Sequence, residues 1–258
     1  MPWARFAQRL AALIRRERQT RFAGGAFGYL WAYVTPLAWI GFVVLTFHLM
    51  HRAVPIATNP ALFVATGIVP YVLFRQTISA LMRAAIAHRY LLYFRPTTGA
   101  EILLAAALLE LLNLAVTAAL IFGLITAVTH CALPAHPLMV LTGILLAWAL
   151  GAGFGRFAAV LGQWSDSFAR AVPMLLRPVF WVSGVFYTAT ELPGPALDLF
   201  WYSPLFHAIE LMREGYFLGY ASPISSVLYP SLVAMGFYLM SVLIERHVTT
   251  SRSARHRI

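Results

Sequence analysis

The sequence is poor in charge and lacks one residue type altogether. Its 258 residues include no lysine, nine acidic residues and a single cysteine, Cys131. A P-loop needs a lysine that reaches the terminal phosphates of a nucleotide, so the chain cannot carry an ATP site of that type. One cysteine excludes a disulfide framework within the chain. Charged residues make up 11% of the sequence, against about 25% in an ordinary globular protein, which argues against a soluble domain.

Long uncharged stretches take the place of a normal charge pattern. Residues 22–51, 53–74, 111–155 and 215–244 contain no Lys, Arg, Asp or Glu. Hydrophobic residues make up 60% of the chain, and the mean hydropathy is +0.75. Because a helix needs about 20 apolar residues to cross a hydrocarbon core of roughly 30 Å, the sequence predicts an integral membrane protein.

The net charge of +10 does not indicate a nucleic-acid partner. In a nucleic-acid-binding protein the arginines would lie among polar residues on a solvated face. Here they cluster at the ends of apolar segments. We also expect no metal site, although His130, Cys131 and His136 flank a short loop, because three scattered ligands do not match the usual zinc ligand sets.

The apolar segments predict an all-α, polytopic membrane fold with six transmembrane helices. A short helical extracytoplasmic segment is expected before the last span. Cutting the chain at charges, prolines and turn residues places the spans near residues 30–50, 61–83, 101–129, 138–162, 170–189 and 225–245.

The arginines orient these spans. Thirteen of them fall in the N-terminal segment, the loop after the second span and the C-terminal tail, whereas the loops after the first, third and fifth spans hold only Arg52 and Arg213. Since positive residues stay in the cytoplasm, we expect both termini there. The predicted organisation is a cytoplasmic interface helix and turn at 1–28, a six-span domain at 29–245 and a basic cytoplasmic tail at 246–258.

The N-terminal segment has an amphipathic pattern. Apolar residues in 3–14 recur at helical spacing, with arginines between and after them, which is typical of a helix that lies in the membrane interface. The alternative is that residues 1–21 only orient the chain and form no fixed helix.

Two stretches resemble a known family of transporters. FGYLWAYVTPL at 27–37 is similar to the entry of the first span in permeases of ABC exporters, particularly the polysaccharide-export branch. SGVFYTATELPGPALDLFWYSPLFHAIELMREGYF at 183–217 resembles the end of the fifth span and the following loop in that family. Ser203 stands where the family has an Asn. Exporters of lipid-anchored capsular polysaccharide look closest, and O-antigen exporters nearly as close.

The resemblance implies a transport subunit of the bacterial inner membrane that binds no cofactor itself. It implies a homodimer working with a dimer of a separate ABC ATPase, where ATP and Mg²⁺ would bind. The implied cargo is a lipid-linked, acidic polysaccharide, passed on to periplasmic or outer-membrane export proteins. Alternatives stay open: a permease for O-antigen, another lipid or a drug, or a polytopic membrane enzyme such as an acyltransferase.

The loop after the second span alternates basic and aromatic residues. In the family, the corresponding loop forms a short coupling helix that lies on the ATPase. By this resemblance we assign ATPase coupling to Ile86, His88, Arg89, Tyr90, Leu91, Phe94 and Arg95. The alternative is an ordinary interfacial loop that only enforces topology.

Two further groups are candidates for substrate contact. Aromatic rings can contact the apolar faces of sugars, and the candidates for such a channel lining are Trp31, Tyr33, Trp39, Phe180, Trp181, Phe186 and Tyr187, although each can equally serve in packing. Arginines at the cytoplasmic entrance can attract the phosphate or carboxylates of a lipid anchor. The candidates there are Arg16, Arg18, Arg21 and Arg83, unless they act only as positive-inside signals.

Arg75, Glu110 and Arg156 fall inside predicted spans, where ionised groups are costly. Arg75 and Glu110 lie at similar depth on antiparallel neighbours, roughly 12–14 Å from the cytoplasmic edge. We therefore predict that they pair or share a polar site with Arg156. In the competing interpretation, Arg75 lines the substrate path alone.

Overall fold

The computed structural model describes residues 2–21, 26–49, 51, 54–56, 58–87, 98–130 and 133–255, with only the backbone at 2–5, 20–21, 26–33, 35–36 and 248–255. Within these residues the fold is all-helical and has no β-strand. The helices are α1 (Pro2–Arg21), α2 (Ala26–Leu49), α3 (Pro60–Ala87), α4 (Gly99–Thr129), α5 (Pro137–Gly162), α6 (Asp166–Val182), α7 (Gly194–Phe200), α8 (Pro204–Tyr216) and α9 (Leu228–Arg255).

Four helices in the described part of the chain are long and apolar enough to cross a membrane. They are α3, α4, α5 and the Leu228–His247 part of α9. The shorter apolar stretch Leu37–Leu49 belongs to α2, and α6 has 17 residues. This arrangement fits a six-span protein with short helices before the last span.

The helix of the fifth predicted span, α6, ends earlier than the apolar run suggests. The sequence predicts a span over 170–189, whereas α6 covers Asp166–Val182. Gly184 follows with a φ of +81°, a left-handed conformation that glycine adopts without steric cost. The ring of Phe206 occupies the space that a Cβ at Gly184 would need. The chain therefore turns away from the helix axis at this point.

Small residues of α5 bring the central helices together. A Cβ added at Gly151 would lie 2.8 Å from the Phe74 carbonyl oxygen of α3, and one at Gly155 would lie 2.9 Å from Ile78 Cα. On the other side, a Cβ at Gly143 would lie 2.7 Å from the Ala208 carbonyl oxygen of α8. Because small residues let membrane helices approach closely, α5 forms the centre of the bundle.

The N-terminal segment is a helix, as its amphipathic pattern predicts, and the structure shows that it packs on the start of α4. Arg9 Nη2 lies 3.0 Å from Glu101 Oε1. Glu101 also accepts a hydrogen bond from the Thr98 backbone and completes a capping box at the start of α4. Leu13 packs against a buried cluster that includes Leu81. We call this part of the bundle, where α3 ends and α4 begins, the α1 end, and the opposite part the far end.

The segment between α6 and α9 folds back against α3 and α5. Its irregular backbone is held by Arg213 of α8, which is fully buried. Arg213 Nη1 donates to the Tyr187 carbonyl at 2.6 Å, and Nη2 donates to the Val185 carbonyl at 3.0 Å. Non-helical backbone at membrane depth is tolerated where protein groups satisfy it.

Glu210 completes this brace. Its carboxylate lies 3.3 Å from Arg213 Nη1, and both side chains are fully buried. It also accepts hydrogen bonds from the Ala189 backbone, from Tyr220 and from Ser222. Burial raises the pKa of Tyr220, so the phenol stays protonated and donates to the carboxylate. These bonds satisfy a buried ion pair whose desolvation would otherwise be costly.

Candidate functional site

A cavity of about 500 Å³ lies between α2, α3 and α6. One face of α3 supplies Arg75, Gln76, Ser79 and Arg83, which recur along about two helical turns. α2 adds Trp39, and α6 adds Arg177, Phe180 and Trp181. The lining therefore combines cationic, polar and aromatic groups inside a bundle of otherwise apolar helices.

The three arginines follow one another from the α1 end into the bundle. Arg83 and Arg75 are eight residues apart on α3, or about 12 Å along the axis. Tyr71 donates a hydrogen bond to the Leu176 carbonyl at 3.1 Å, which sets the level of α6 beside α3. Arg177 consequently lies about one turn beyond Arg75, and roughly 16 Å from the start of α6.

Arg177 differs from the arginines that serve the fold. Arg9, Arg156 and Arg213 each have a carboxylate within 3.3 Å. Within the described residues, no hydrogen bond or ion pair holds Arg177. A cation at membrane depth is costly unless it meets a partner, water or a substrate. Its position on the cavity wall therefore marks a place where an anion would be stabilised.

Aromatic rings form the wall of the cavity around Phe180. Trp39 lies edge-on at 5.4 Å from its ring centre, Tyr71 at 4.8 Å and Trp181 at 5.7 Å. Phe180 is buried, whereas Trp39 and Trp181 are 43% and 66% exposed. The buried ring thus packs against two partly exposed tryptophans, whose exposed ring surface can contact the apolar face of a sugar.

The structure separates the predicted aromatic group. Phe186 stacks on Trp181 at 5.1 Å and supports it from behind. The ring of Tyr187 instead packs on Phe200 and Phe206, at 5.3 and 5.9 Å. Its hydroxyl donates to the Trp181 carbonyl. The side chains of the two remaining candidates, Trp31 and Tyr33, lie outside the described residues.

The predicted entrance and coupling groups are described only in part. Arg83 lines the cavity, while Arg16 and Arg18 are exposed on α1. The side chain of Arg21 lies outside the described residues. Ile86 is 62% exposed at the end of α3, and the other coupling candidates, His88, Arg89, Tyr90, Leu91, Phe94 and Arg95, lie outside the described residues.

The three intramembrane charges lie in different surroundings. Arg156 Nε donates to Ser241 at 2.9 Å, and Nη2 donates to Glu245 at 2.7 Å, which ties α5 to α9. Arg75 lines the cavity, on the side of α3 that faces α6. Glu110 is 1% exposed on α4. The pairing of Arg75 with Glu110 stays a prediction.

Sequence reasoning missed Arg177, Tyr71, Gln76 and Ser79. The polar face of α3 carries a signal, since Arg75, Ser79 and Arg83 recur every four residues, the spacing of one helix face. Arg177 was visible as a charge inside a predicted span. No group of three potential metal ligands occurs in the described part of the chain.

Residues 8–217 match the family described as ABC-2 type transporter. The chain belongs to this family. Among its relatives, the polysialic acid transport protein KpsM of Escherichia coli is 30% identical over 226 residues, covering 87% of this chain and 87% of that protein. The capsule polysaccharide export inner-membrane protein BexB of Haemophilus influenzae is 26% identical over 210 residues, 80% and 78% of the two chains.

A third relative, the capsule polysaccharide export inner-membrane protein CtrC of Neisseria meningitidis serogroup B, is 25% identical over 208 residues, 81% and 78% of the two chains. The resemblance to ABC exporter permeases is thereby confirmed. Because the ABC-2 type family consists of transporter permeases, the chain is a transport subunit and not a membrane enzyme.

Proposed function

We propose that this chain is the permease of an ABC exporter that moves a lipid-linked, acidic polysaccharide across the bacterial inner membrane. The relatives are named for polysialic acid transport and capsule polysaccharide export, which supports this substrate class. The chain contains no lysine and hence no P-loop, so a separate ATPase subunit supplies the energy.

The observation that carries the proposal is the cavity between α2, α3 and α6. Arg83, Arg75 and Arg177 provide successive cationic positions from the α1 end to mid-depth. Guanidinium groups bind phosphate and carboxylate through charge-assisted hydrogen bonds. Trp39 and Trp181 provide aromatic faces next to them. An anionic head group would follow the arginines while the sugars slide over the rings.

The α1 end is the cytoplasmic end in this proposal. The N-terminal segment, the last turns of α3 with the α3–α4 loop, and the C-terminal end of the chain hold thirteen arginines between them, and positive residues remain in the cytoplasm. We assign contact with the ATPase to the segment 86–95, which begins in the last turn of α3. Arg16, Arg18 and Arg21 belong to α1, which packs at this end of the bundle, and would attract the anionic substrate toward Arg83.

A second copy of the chain closes the cavity. α6 buries only a narrow stripe, Val172, Leu176 and Phe180, and leaves Met174 and Leu175 more than 60% exposed. α2 likewise exposes Phe42 at 64%. Two such faces meeting in a homodimer would enclose a shared channel between them.

The proposal is tested by measuring polysaccharide export in a strain whose own permease gene has been deleted and which produces this chain or one of its variants. Arg177→Gln should lower the amount of surface polysaccharide about tenfold or more, since loss of one charge-assisted contact of ~1.5–3 kcal/mol corresponds to that factor. Arg170→Gln is the matched control, because Arg170 is exposed on the same helix but does not line the cavity. Both variants should reach the membrane in wild-type amounts.

Two outcomes of this assay would contradict the proposal. Equal export by the Arg177→Gln and Arg170→Gln variants would show that the cavity does not lie on the substrate path. Export of an uncharged polymer with the same dependence on Arg177 would contradict the proposal that the substrate is acidic.

The coupling role is tested in the same strain. The double variant Tyr90→Ala, Phe94→Ala should lose the ATPase during purification of the permease, and unchanged co-purification of the two proteins would contradict the coupling role.

A further inference from the structure

A second cavity, of about 700 Å³, lies on the opposite side of the central helices, between α4 and α9 over the surface of α5. Its floor consists of the small residues Ala149, Ala152 and Gly153, and its sides include Leu104 of α4 and Met235 of α9. The volume is within the range of about 300–1,000 Å³ typical of ligand sites. Its apolar walls suit a hydrocarbon chain.

The polar groups of this cavity gather toward the α1 end. Glu101 and Arg156 both line it. Each already has a partner of opposite charge: Arg9 lies 3.0 Å from Glu101, and Glu245 lies 2.7 Å from Arg156. The charged lining residues of this end are therefore one cation and one anion, each paired with a group, Glu245 or Arg9, that is not part of the lining. The cavity between α2, α3 and α6 differs, because its lining contains three arginines and no acid.

We propose that this second cavity binds a membrane phospholipid whose head group carries both a phosphate and a primary ammonium. One acyl chain lies over Ala149, Ala152 and Gly153. The phosphate meets the guanidinium of Arg156, and the ammonium donates to the carboxylate of Glu101, so each charge of the head group finds its complement. A lipid with only a negative head group would add a net negative charge to an end whose lining charges, Arg156 and Glu101, balance each other.

The placement of the cavity also favours a lipid over a helix of another chain. On α5 the lining runs from Trp148 to Arg156, about 12 Å along a membrane-spanning helix. Phe6 of α1 closes the end next to the polar groups. The hollow is thus short and ends at an amphipathic helix of the kind that lies among lipid head groups.

Photo-crosslinking in vesicles tests the inference. The full-length chain is reconstituted in phosphatidylcholine vesicles that contain a trace of phosphatidylethanolamine with a photoactivatable acyl chain. We expect peptide mapping of the unchanged protein to place the label on Leu104, Ala152 or Met235. A phosphatidylglycerol probe with the same acyl chain should label these positions less.

Filling the cavity should remove the label. Ala152→Phe should lower labelling about tenfold, as expected when roughly two methylene groups lose their burial. Leu112→Phe is the control, because Leu112 is 56% exposed on α4 outside the cavity, and its labelling should stay unchanged. If Ala152→Phe fails to fold, the mapping on the unchanged protein still decides.

Two results would overturn the inference: label scattered over the outer surface, or equal or stronger labelling by phosphatidylglycerol. Neither of them bears on export through the first cavity, because the assay requires neither polysaccharide nor ATPase.

Discussion

At the scale of single residues, arginine serves two purposes in this molecule. Arg156 and Arg213 have carboxylate partners, Glu245 and Glu210, and join one segment of the bundle to another. Breaking the fully buried Arg213–Glu210 pair would strand a charge, which typically costs about 3–5 kcal/mol. Arg177 lies on a cavity wall with no such partner among the described residues. The partner, more than the depth in the membrane, distinguishes a structural arginine from a candidate for substrate contact.

Arg75 and Glu110 allow this distinction to be tested. If the predicted pairing holds, Arg75→Leu and Glu110→Leu should each lower export or folded yield, and the double variant should lose less than the sum of the two, because each single change strands the other charge. Separate sites give additive free-energy changes within about 0.3–0.5 kcal/mol. The measurement compares export and folded yield of both single variants and the double variant. Strictly additive losses would contradict the pairing and favour separate roles, with Arg75 on the cavity wall and Glu110 buried on α4.

At the scale of elements, the hydrophobic pattern predicts which segments are helices. The apolar runs place α3, α4 and α5 within a few residues of their observed ends, and the helical spacing of residues 3–14 predicts α1. The end of α6 could not be predicted in this way, because the apolar run continues past Val182. What stops the helix is tertiary: the Phe206 ring against Gly184, and the hydrogen bonds from Arg213 to two carbonyls.

In the candidate site, too, one part could be predicted from the sequence pattern and another part depends on tertiary contacts. The polar face of α3 follows from the four-residue spacing of Arg75, Ser79 and Arg83, so half of the cavity wall could be predicted. The other half is set by the contact of Tyr71 with Leu176, which are 105 residues apart. A single sequence contains no periodic signal for such a pairing.

The approach of α8 to α5 leads to a prediction at this scale. Gly143→Ala should destabilise the protein by roughly 1–3 kcal/mol, the usual effect of overpacking, because its Cβ would lie 2.7 Å from the Ala208 carbonyl oxygen. Gly123→Ala is the matched control on α4, since no atom lies within 4 Å of its Cβ position. The thermal unfolding midpoint of the purified protein in detergent checks both. Equal midpoints for the two variants would mean that α8 does not pack closely on α5.

At the scale of the whole molecule, the two ends of the bundle carry different surfaces. The α1 end collects the arginines of α1 and of the C-terminal tail, and the far end holds the α4–α5 connection and the start of the α8–α9 connection. Export from the cytoplasm requires the arginine series Arg83, Arg75 and Arg177 to begin on the cytoplasmic side. The orientation of the chain is therefore part of the proposed mechanism.

Cysteine labelling in intact spheroplasts tests this orientation. In a Cys131→Ser background, Leu133→Cys and Leu218→Cys should react with an impermeant thiol reagent, because both positions are at the far end and are 74% and 88% exposed. Ala87→Cys and Trp164→Cys, at the α1 end, should react only after the membrane is opened. Since Trp164 precedes α6 and Leu218 follows α8, the pair also tests whether α6 crosses the membrane. Labelling of Ala87→Cys in sealed spheroplasts would show that the topology is the inverse of the one proposed. The arginine series would then begin on the outer side, and the proposed direction of anion movement would be wrong.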